Sequence, residues 1–287
     1  MTNVTCDDSI TRAAANAKNL NIPRDLAVEL GGEIVNALRD GYYVAASGKK
    51  VDWSDMVASA VARKTSIPPN AELPRAEEGT RYETKIQIIN ETTLAAALRS
   101  TQAGYRTLAL NFANGVQACG GFLSGSRAQE EYLCRSSALF ATLEHDRMYD
   151  THRRRPLPDS TDWAILSPGV PVVRDDAGRL LDEPWLLDFI TSAAPYAPKV
   201  GLRESARLLE SRIRRVLEIA RAYRYQSLIL GAWGCGAFEN DPQETARSFK
   251  EVLEESFDGS FAQVVFAITD RSEDRRTIGA FCKVFTS

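Results

Sequence analysis

The stretch over residues 105–141, YRTLALNFANGVQACGGFLSGSRAQEEYLCRSSALFA, constrains this chain more than any other. Leu108, Ala109, Leu110 and Phe112 follow the polar pair Arg106-Thr107 as a short apolar run, the pattern of a buried strand. Gly115, Gly120, Gly121 and Gly125 then open a loop, and a helix follows whose first turns carry the adjacent carboxylates Glu130 and Glu131. A strand, a glycine loop and an acidic helix start, in that order, mark a place where ligand sites form at the end of a sheet. An ordinary strand–helix connection with turn glycines is the plain alternative.

Composition narrows the chemistry around that stretch. The 287 residues suffice for one large domain, or for one domain with an extension. A net charge of −3 lacks the basic footprint of a general nucleic-acid binder. No run approaches the roughly 20 apolar residues that cross a bilayer. The first residues, MTNVTCDDSITRAAANAKNL, lack a basic-then-apolar leader layout, so a cytoplasmic protein is expected. The five cysteines, Cys6, Cys119, Cys134, Cys235 and Cys282, show no metal-ligand spacing, and free thiols in a reducing compartment are the simplest expectation. With only His145 and His152 available, a zinc site is not expected, and acid–base chemistry falls to carboxylates.

Along the chain, residues 7–67 carry a helical signal, with Leu26, Leu30, Ile34, Val35 and Leu38 at helical spacing. Pro68-Pro69 and the polar residues 70–79 suggest a boundary, dividing a helical N-terminal extension (1–80) from a core domain (81–287). Strands are expected at 84–90, 105–112, 163–166, 185–191, 227–232 and 261–269. Asp175-Asp176-Ala177-Gly178 reads as a hairpin turn. Helices are expected at 91–100, from 129 to about 143, at 202–223 and at 242–256. The 202–223 helix has an apolar stripe through Leu202, Ala206, Leu209, Ile213, Val216 and Ala220, and its arginines, Arg212 among them, are expected on solvated faces.

Buried strands alternating with helices predict an α/β class with helices on both faces of a parallel or mixed sheet. Two strands run into glycine-rich loops, at 115–125 and 231–236, where backbone N–H groups can approach a phosphate. Neither loop is GxGxxG or GxxxxGK[ST], which argues against a Rossmann dehydrogenase and a P-loop NTPase.

The segment CGGFLSGSRAQEEYLCRSS resembles the signature of the microbial poly(ADP-ribose) glycohydrolases, a glycine loop followed by Gln-Glu-Glu. INETTLAAA, SPGVPVVRDDAG, ITSAAP and LGAWGCGAFEND sit around it in that family's order, and GYYVAASGKKVDW is similar to its N-terminal extension. The resemblance implies a three-layer α/β/α macrodomain-like sandwich with a mixed central sheet, in which 81–287 form an ADP-ribose-binding catalytic domain. It implies hydrolysis of ribose–ribose O-glycosidic bonds. Glu131 would be the general acid and then the base, and Glu130 would hold ribose hydroxyls. Carboxylates one residue apart on a helix diverge by roughly 100°, so distinct roles suit them better than a symmetric pair. The ADP-ribose-binding residues implied are Gln117, Gly120, Gly121, Phe122 and Gln129, with Gly231, Gly234, Cys235, Gly236, Ala237 and Phe238 around the diphosphate. Trp233 is expected in the core.

The chain departs from the family pattern at Gln117-Ala118-Cys119, where a Cβ on Cys119 is expected to narrow the loop, and at Tyr196. These departures keep two alternatives in view, a hydrolase of single ADP-ribose units on protein or nucleic acid and a non-catalytic ADP-ribose-binding macrodomain. No cofactor or metal is expected. The expected partner is ADP-ribose or poly(ADP-ribose) on modified macromolecules, with no membrane and no general nucleic-acid binding, and the chain is expected to be a monomer.

Overall fold

The computed structural model describes residues 3–75 and 80–287. The chain begins with β1 (Asn3–Asp7), α1 (Ile10–Leu20), α2 (Arg24–Asp40), β2 (Tyr42–Val44), β3 (Lys50–Asp52), α3 (Ser54–Arg63) and β4 (Thr65–Ile67). The chain continues through β5 (Lys85–Ile89), α4 (Thr93–Gln102), β6 (Thr107–Phe112), α5 (Gln129–Ser136), α6 (Leu139–Leu143) and α7 (Arg147–Arg153). Then come β7 (Ala164–Arg174), β8 (Leu180–Ser192), α8 (Ala197–Val200), α9 (Leu202–Ala222), β9 (Ser227–Leu230), α10 (Pro242–Ser256), β10 (Gln263–Ala267) and α11 (Arg276–Thr286).

Eight strands form one sheet in the order β1-β5-β10-β9-β6-β8-β7-β4, while β2 and β3 pair separately. The six strands from β1 to β8 are parallel, and β7 and β4 add antiparallel pairings at one side, so the sheet is mixed. Successive residues of a strand face opposite sides. Ile86, Ile88, Leu108 and Leu110 therefore pack with Ile213 of α9, Phe249 of α10 and Phe281 of α11. Ala109, Ile229 and Val265 face the other layer, with Ile34 of α2, Leu94 of α4 and Leu133 of α5. The result is the three-layer α/β/α sandwich that buried, alternating strands demand. Residues 175–178 turn the β7–β8 hairpin as expected.

Three expectations need correction. The N-terminal region is not wholly helical, because β1 extends the sheet beside β5 and β4 covers its far edge against β7. Strands of three to five residues are too short to show a period of two. The expected boundary at 70–79 falls partly on residues 76–79, which lie outside the described residues. The helix expected over 129–143 stops at Ser136, and the extended Ser137 bridges Val172. The Ser137 hydroxyl donates to the Leu133 carbonyl and accepts from the Leu139 N–H, the local competition by which serine interrupts a helix. Finally, Arg212 is not solvated. It is 1% exposed, donates to the carbonyls of Ala193 and Asp159, and sits 3.6 Å from Asp162.

Candidate active site

A cavity of about 480 Å³ crosses the C-terminal ends of β5, β10, β9 and β6, where parallel strands leave a natural crevice. Its floor is formed by Phe112, Ala113 and Asn114, which follow β6, and by the first turn of α5. A turn over residues 232–238 forms the opposite wall.

Gln129 sets α5 against the sheet. Its side-chain oxygen accepts from the Phe112 N–H (2.9 Å), and its amide donates to the Leu110 carbonyl (2.8 Å) and to Thr93 Oγ1 (3.2 Å). One glutamine thus satisfies the backbone at the end of β6 and orients the helix that begins with it.

The two carboxylates behind Gln129 have different surroundings. Glu130 is 3% exposed, and both its oxygens are engaged. Asn111 Nδ2 donates to Oε1 (3.3 Å) and the Asn114 N–H donates to Oε2 (2.6 Å). Burial pushes the Glu130 carboxyl well above its ordinary pKa, and the neighbouring Glu131 adds to the rise, against the lowering effect of the Asn114 N–H. Glu131 is 7% exposed and accepts at Oε1 from the Gly121 N–H (3.0 Å). Its Oε2 is buried and has no hydrogen-bond partner among the described residues. A buried acceptor left open beside a cleft is costly unless something enters to meet it.

The glycine loop backs this carboxylate. At Gly120 (φ +52°) an added Cβ would lie 2.4 Å from Glu131 Oε1 and 3.1 Å from Glu130 Oε2, so only glycine leaves room for the pair. Cys119 does not narrow the cleft, contrary to expectation. It is fully buried and forms a disulfide with Cys134 of α5, which also corrects the expectation that every thiol is free. Cys6, Cys235 and Cys282 are the free cysteines.

The opposite wall is an irregular turn held from behind by Asn240, whose amide donates to the carbonyls of Pro195 (2.9 Å) and Gly234 (3.2 Å). The Cys235 N–H is engaged by the Ala232 carbonyl. The N–H groups of Gly236, Ala237 and Phe238 have no acceptor among the described residues, and successive free amides make a concavity suited to an anion. Phe238 stands edge-on to Tyr196 at 5.7 Å, half-buried at the rim. Trp233 is fully buried in the core, as expected, and it also contributes to the cavity lining.

Of the residues singled out in the sequence, Glu130, Glu131, Gln129, Gly234, Cys235, Gly236, Ala237 and Phe238 line the cavity. Gln117, Gly120, Gly121, Phe122 and Gly231 do not. Gln117 is exposed on the outer side of the loop, and its N–H donates to Asn114 Oδ1 (3.1 Å). Gly120 and Gly121 support Glu131 from behind, Phe122 packs on Phe140, and Gly231 lies between Phe112 and the Ala267 carbonyl. The cavity also recruits Asn114, Arg127 and Arg271, which sequence reasoning passed over. Only Asn114 had a signal there, as an asparagine preceding a turn glycine right after a strand. Among the described residues no three of His, Cys, Asp or Glu gather as metal ligands would, and no helix is long and apolar enough to cross a membrane.

Comparison with known proteins places these features in company. The family model of the microbial-type poly(ADP-ribose) glycohydrolase (PARG) catalytic domain matches residues 32–175. The crystal structure of PARG from Thermomonospora curvata is 42% identical, with a TM-score of 0.85 over 91% of this chain and 100% of that chain. The same enzyme bound to the inhibitor ADP-HPD is 41% identical, with a TM-score of 0.83 over 90% of this chain and 99% of that one. PARG from Deinococcus radiodurans in complex with ADP-ribose is 36% identical, with a TM-score of 0.74 over 80% of this chain and 96% of that chain. A search of the curated proteins finds no match.

Proposed function

The chain belongs to the microbial-type poly(ADP-ribose) glycohydrolase family, and from that premise we propose that it hydrolyses the ribose–ribose O-glycosidic bonds of poly(ADP-ribose), releasing ADP-ribose. The observation that carries the reading is the unpartnered, buried Oε2 of Glu131 on the floor of a cleft whose other wall offers free backbone amides.

Cleaving such a bond requires a proton on a poor leaving oxygen while positive charge develops on the sugar. In the proposed mechanism Glu131 Oε2 delivers that proton, and Gly121 holds the other oxygen so that the carboxyl has one working edge. The glutamate formed by proton loss then stabilises the developing cation and removes a proton from the attacking water, which restores the acid. Glu130 meets ribose hydroxyls and steers the sugar. Its fixed contacts to Asn111 and the Asn114 N–H suit positioning better than proton shuttling. The N–H groups of Gly236, Ala237 and Phe238 receive the diphosphate, and Phe238 packs on the ribose.

Gln129 acts here through the backbone of β6, and Gly120, Gly121 and Phe122 act by supporting Glu131 and its loop. The mono-ADP-ribosyl alternative drew on the altered loop at Gln117-Ala118-Cys119, and the Cys119 side chain is tied to α5 outside the cleft, so the polymer reading stands first. We also propose a monomer, which sizing chromatography tests.

The deciding experiment follows release of labelled ADP-ribose from poly(ADP-ribose) by the wild type and by Glu131→Gln. We expect the variant to retain ADP-ribose binding and to lose about 10²–10⁴-fold in kcat, the usual worth of a positioned acid–base group. Equal turnover by the two proteins would remove Glu131 from the mechanism.

A further inference from the structure

A second cavity, of about 210 Å³, adjoins the cleft, and Leu20, Arg127 and Tyr132 line both. Its walls come from the α1–α2 junction, from α5 and from the β7–β8 turn, and they carry Arg127, Arg135, Arg174 and Arg179.

The charges there do not balance. Asp175 is engaged by Arg179 (2.8 Å) and by the N–H groups of Ala177 and Arg179, and Asp176 accepts from the hydroxyls of Thr92 and Tyr132. Arg174 pairs with Glu33 and reaches the carbonyls of Leu30 and Arg135, yet its buried Nε has no partner. Arg127 donates one nitrogen to the Ile22 carbonyl (2.7 Å), and Arg135 donates Nη1 to the Ser126 carbonyl (2.6 Å). Neither of these two has a carboxylate within 4.0 Å among the described residues. Arg135 is only 5% exposed, and Nη1 is the one nitrogen of its guanidinium with a hydrogen bond among the described residues. Burial, with Arg174 and Arg127 beside it, brings its pKa down to about 10, although Glu131 one turn earlier on α5 acts in the opposite direction. A buried cation in like-charged company is stabilised by an anion that enters.

We propose that this second cavity is a phosphate subsite for the ADP-ribose unit on the leaving side of the scissile bond. The inference rests on the polymer reading above. In a ribose–ribose linkage the leaving oxygen belongs to a ribose whose own unit carries a diphosphate. Helix α5 connects the two tasks, with Glu131 at the bond and Arg135 one turn, roughly 5.4 Å, further along. Inner arginines would grip that diphosphate while the released unit occupies the cleft. A leaving group without phosphate, such as a serine hydroxyl, would gain nothing there.

The test has two arms. In the first, inorganic diphosphate is titrated calorimetrically into protein saturated with ADP-ribose, for the wild type, Arg135→Gln and the rim variant Arg127→Gln, each checked by thermal melting. In the second, kcat/KM is measured for poly(ADP-ribose) and for a peptide carrying one O-linked ADP-ribose on serine. We expect diphosphate to bind while the cleft is filled, and each substitution to weaken it about tenfold. The polymer-to-peptide ratio of kcat/KM should fall by a similar factor, through KM. Absence of diphosphate binding beside bound ADP-ribose would overturn the subsite and leave the proposed function standing. Diphosphate binding with an unmoved ratio would overturn its assignment to the substrate. Failure of ADP-ribose itself to bind would overturn the proposed function and this inference together. If Arg135→Gln does not fold, Arg127→Gln carries the comparison.

Discussion

At the scale of single residues, the site turns on two neighbouring glutamates made unlike by their hydrogen bonds. Glu130 has both oxygens tied to Asn111 and to the Asn114 N–H, whereas Glu131 has one tied to Gly121 and one open. The adjacency is plain in the sequence, but the difference is not, since the partners lie 10 to 19 residues away across a loop. It has a measurable consequence. Burial raises the folded-state pKa of Glu130 above the ordinary 4.5, so the folded protein holds a proton that the unfolded chain has released. Stability from this group is therefore complete below about pH 4.5 and is lost as pH rises toward the raised value. Glu130→Gln, neutral at every pH, should remove that loss. The difference in Tm between variant and wild type should widen in the variant's favour from about pH 4.5 upward. Parallel Tm curves across that range would show that Glu130 titrates as it does in the unfolded chain.

At the scale of elements, the glycine loop and α5 act as one unit. The Cys119–Cys134 disulfide ties them across 15 residues, Gly121 reaches Glu131, and Arg135 holds the Ser126 carbonyl from the helix side. Spacing alone could not suggest the pair, because cysteines 15 apart match no common motif and bridge only where a turn brings them together. Closing a loop of that length stabilises a fold by about 3 kcal/mol in the chain-entropy account. Cys119→Ala/Cys134→Ala should thus lower urea stability by roughly 2–4 kcal/mol and loosen the backing of Glu131, with lower kcat. Thiol labelling offers an independent check. Only three cysteines should react in the unfolded, unreduced protein, and five would mean that the bridge does not form.

At the scale of the whole molecule, the N-terminal region belongs to the sheet. Strand β1 pairs along the full length of β5, and β4 closes the opposite edge. Helix α2 packs against the loop backing the site, where Arg24 donates to the Ser124 carbonyl (2.9 Å). We propose that the extension is integral to folding. Removing residues 1–80 would bare the edge of β5, a strand whose Ile86 and Ile88 are fully buried in the intact protein. The truncated chain should aggregate or melt without cooperativity, as followed by circular dichroism and light scattering. Cooperative melting with ADP-ribose binding retained would show instead that residues 81–287 form an independent domain.

The sequence by itself determined the layer architecture, because strands buried on both faces and one long apolar helical stripe admit few other arrangements. It also determined where the acid pair lies, since a glycine loop and Gln-Glu-Glu are contiguous along the chain. Only the tertiary structure decided which glutamate oxygen is open, that Cys119 meets Cys134, and that arginines from the approach to α5, from α5, from β7 and from the β7–β8 turn share one cavity beside the cleft. Periodicity reports which face of an element is buried. It carries no information on which distant groups that burial brings within a hydrogen bond of one another, and that is the information on which the site's chemistry depends.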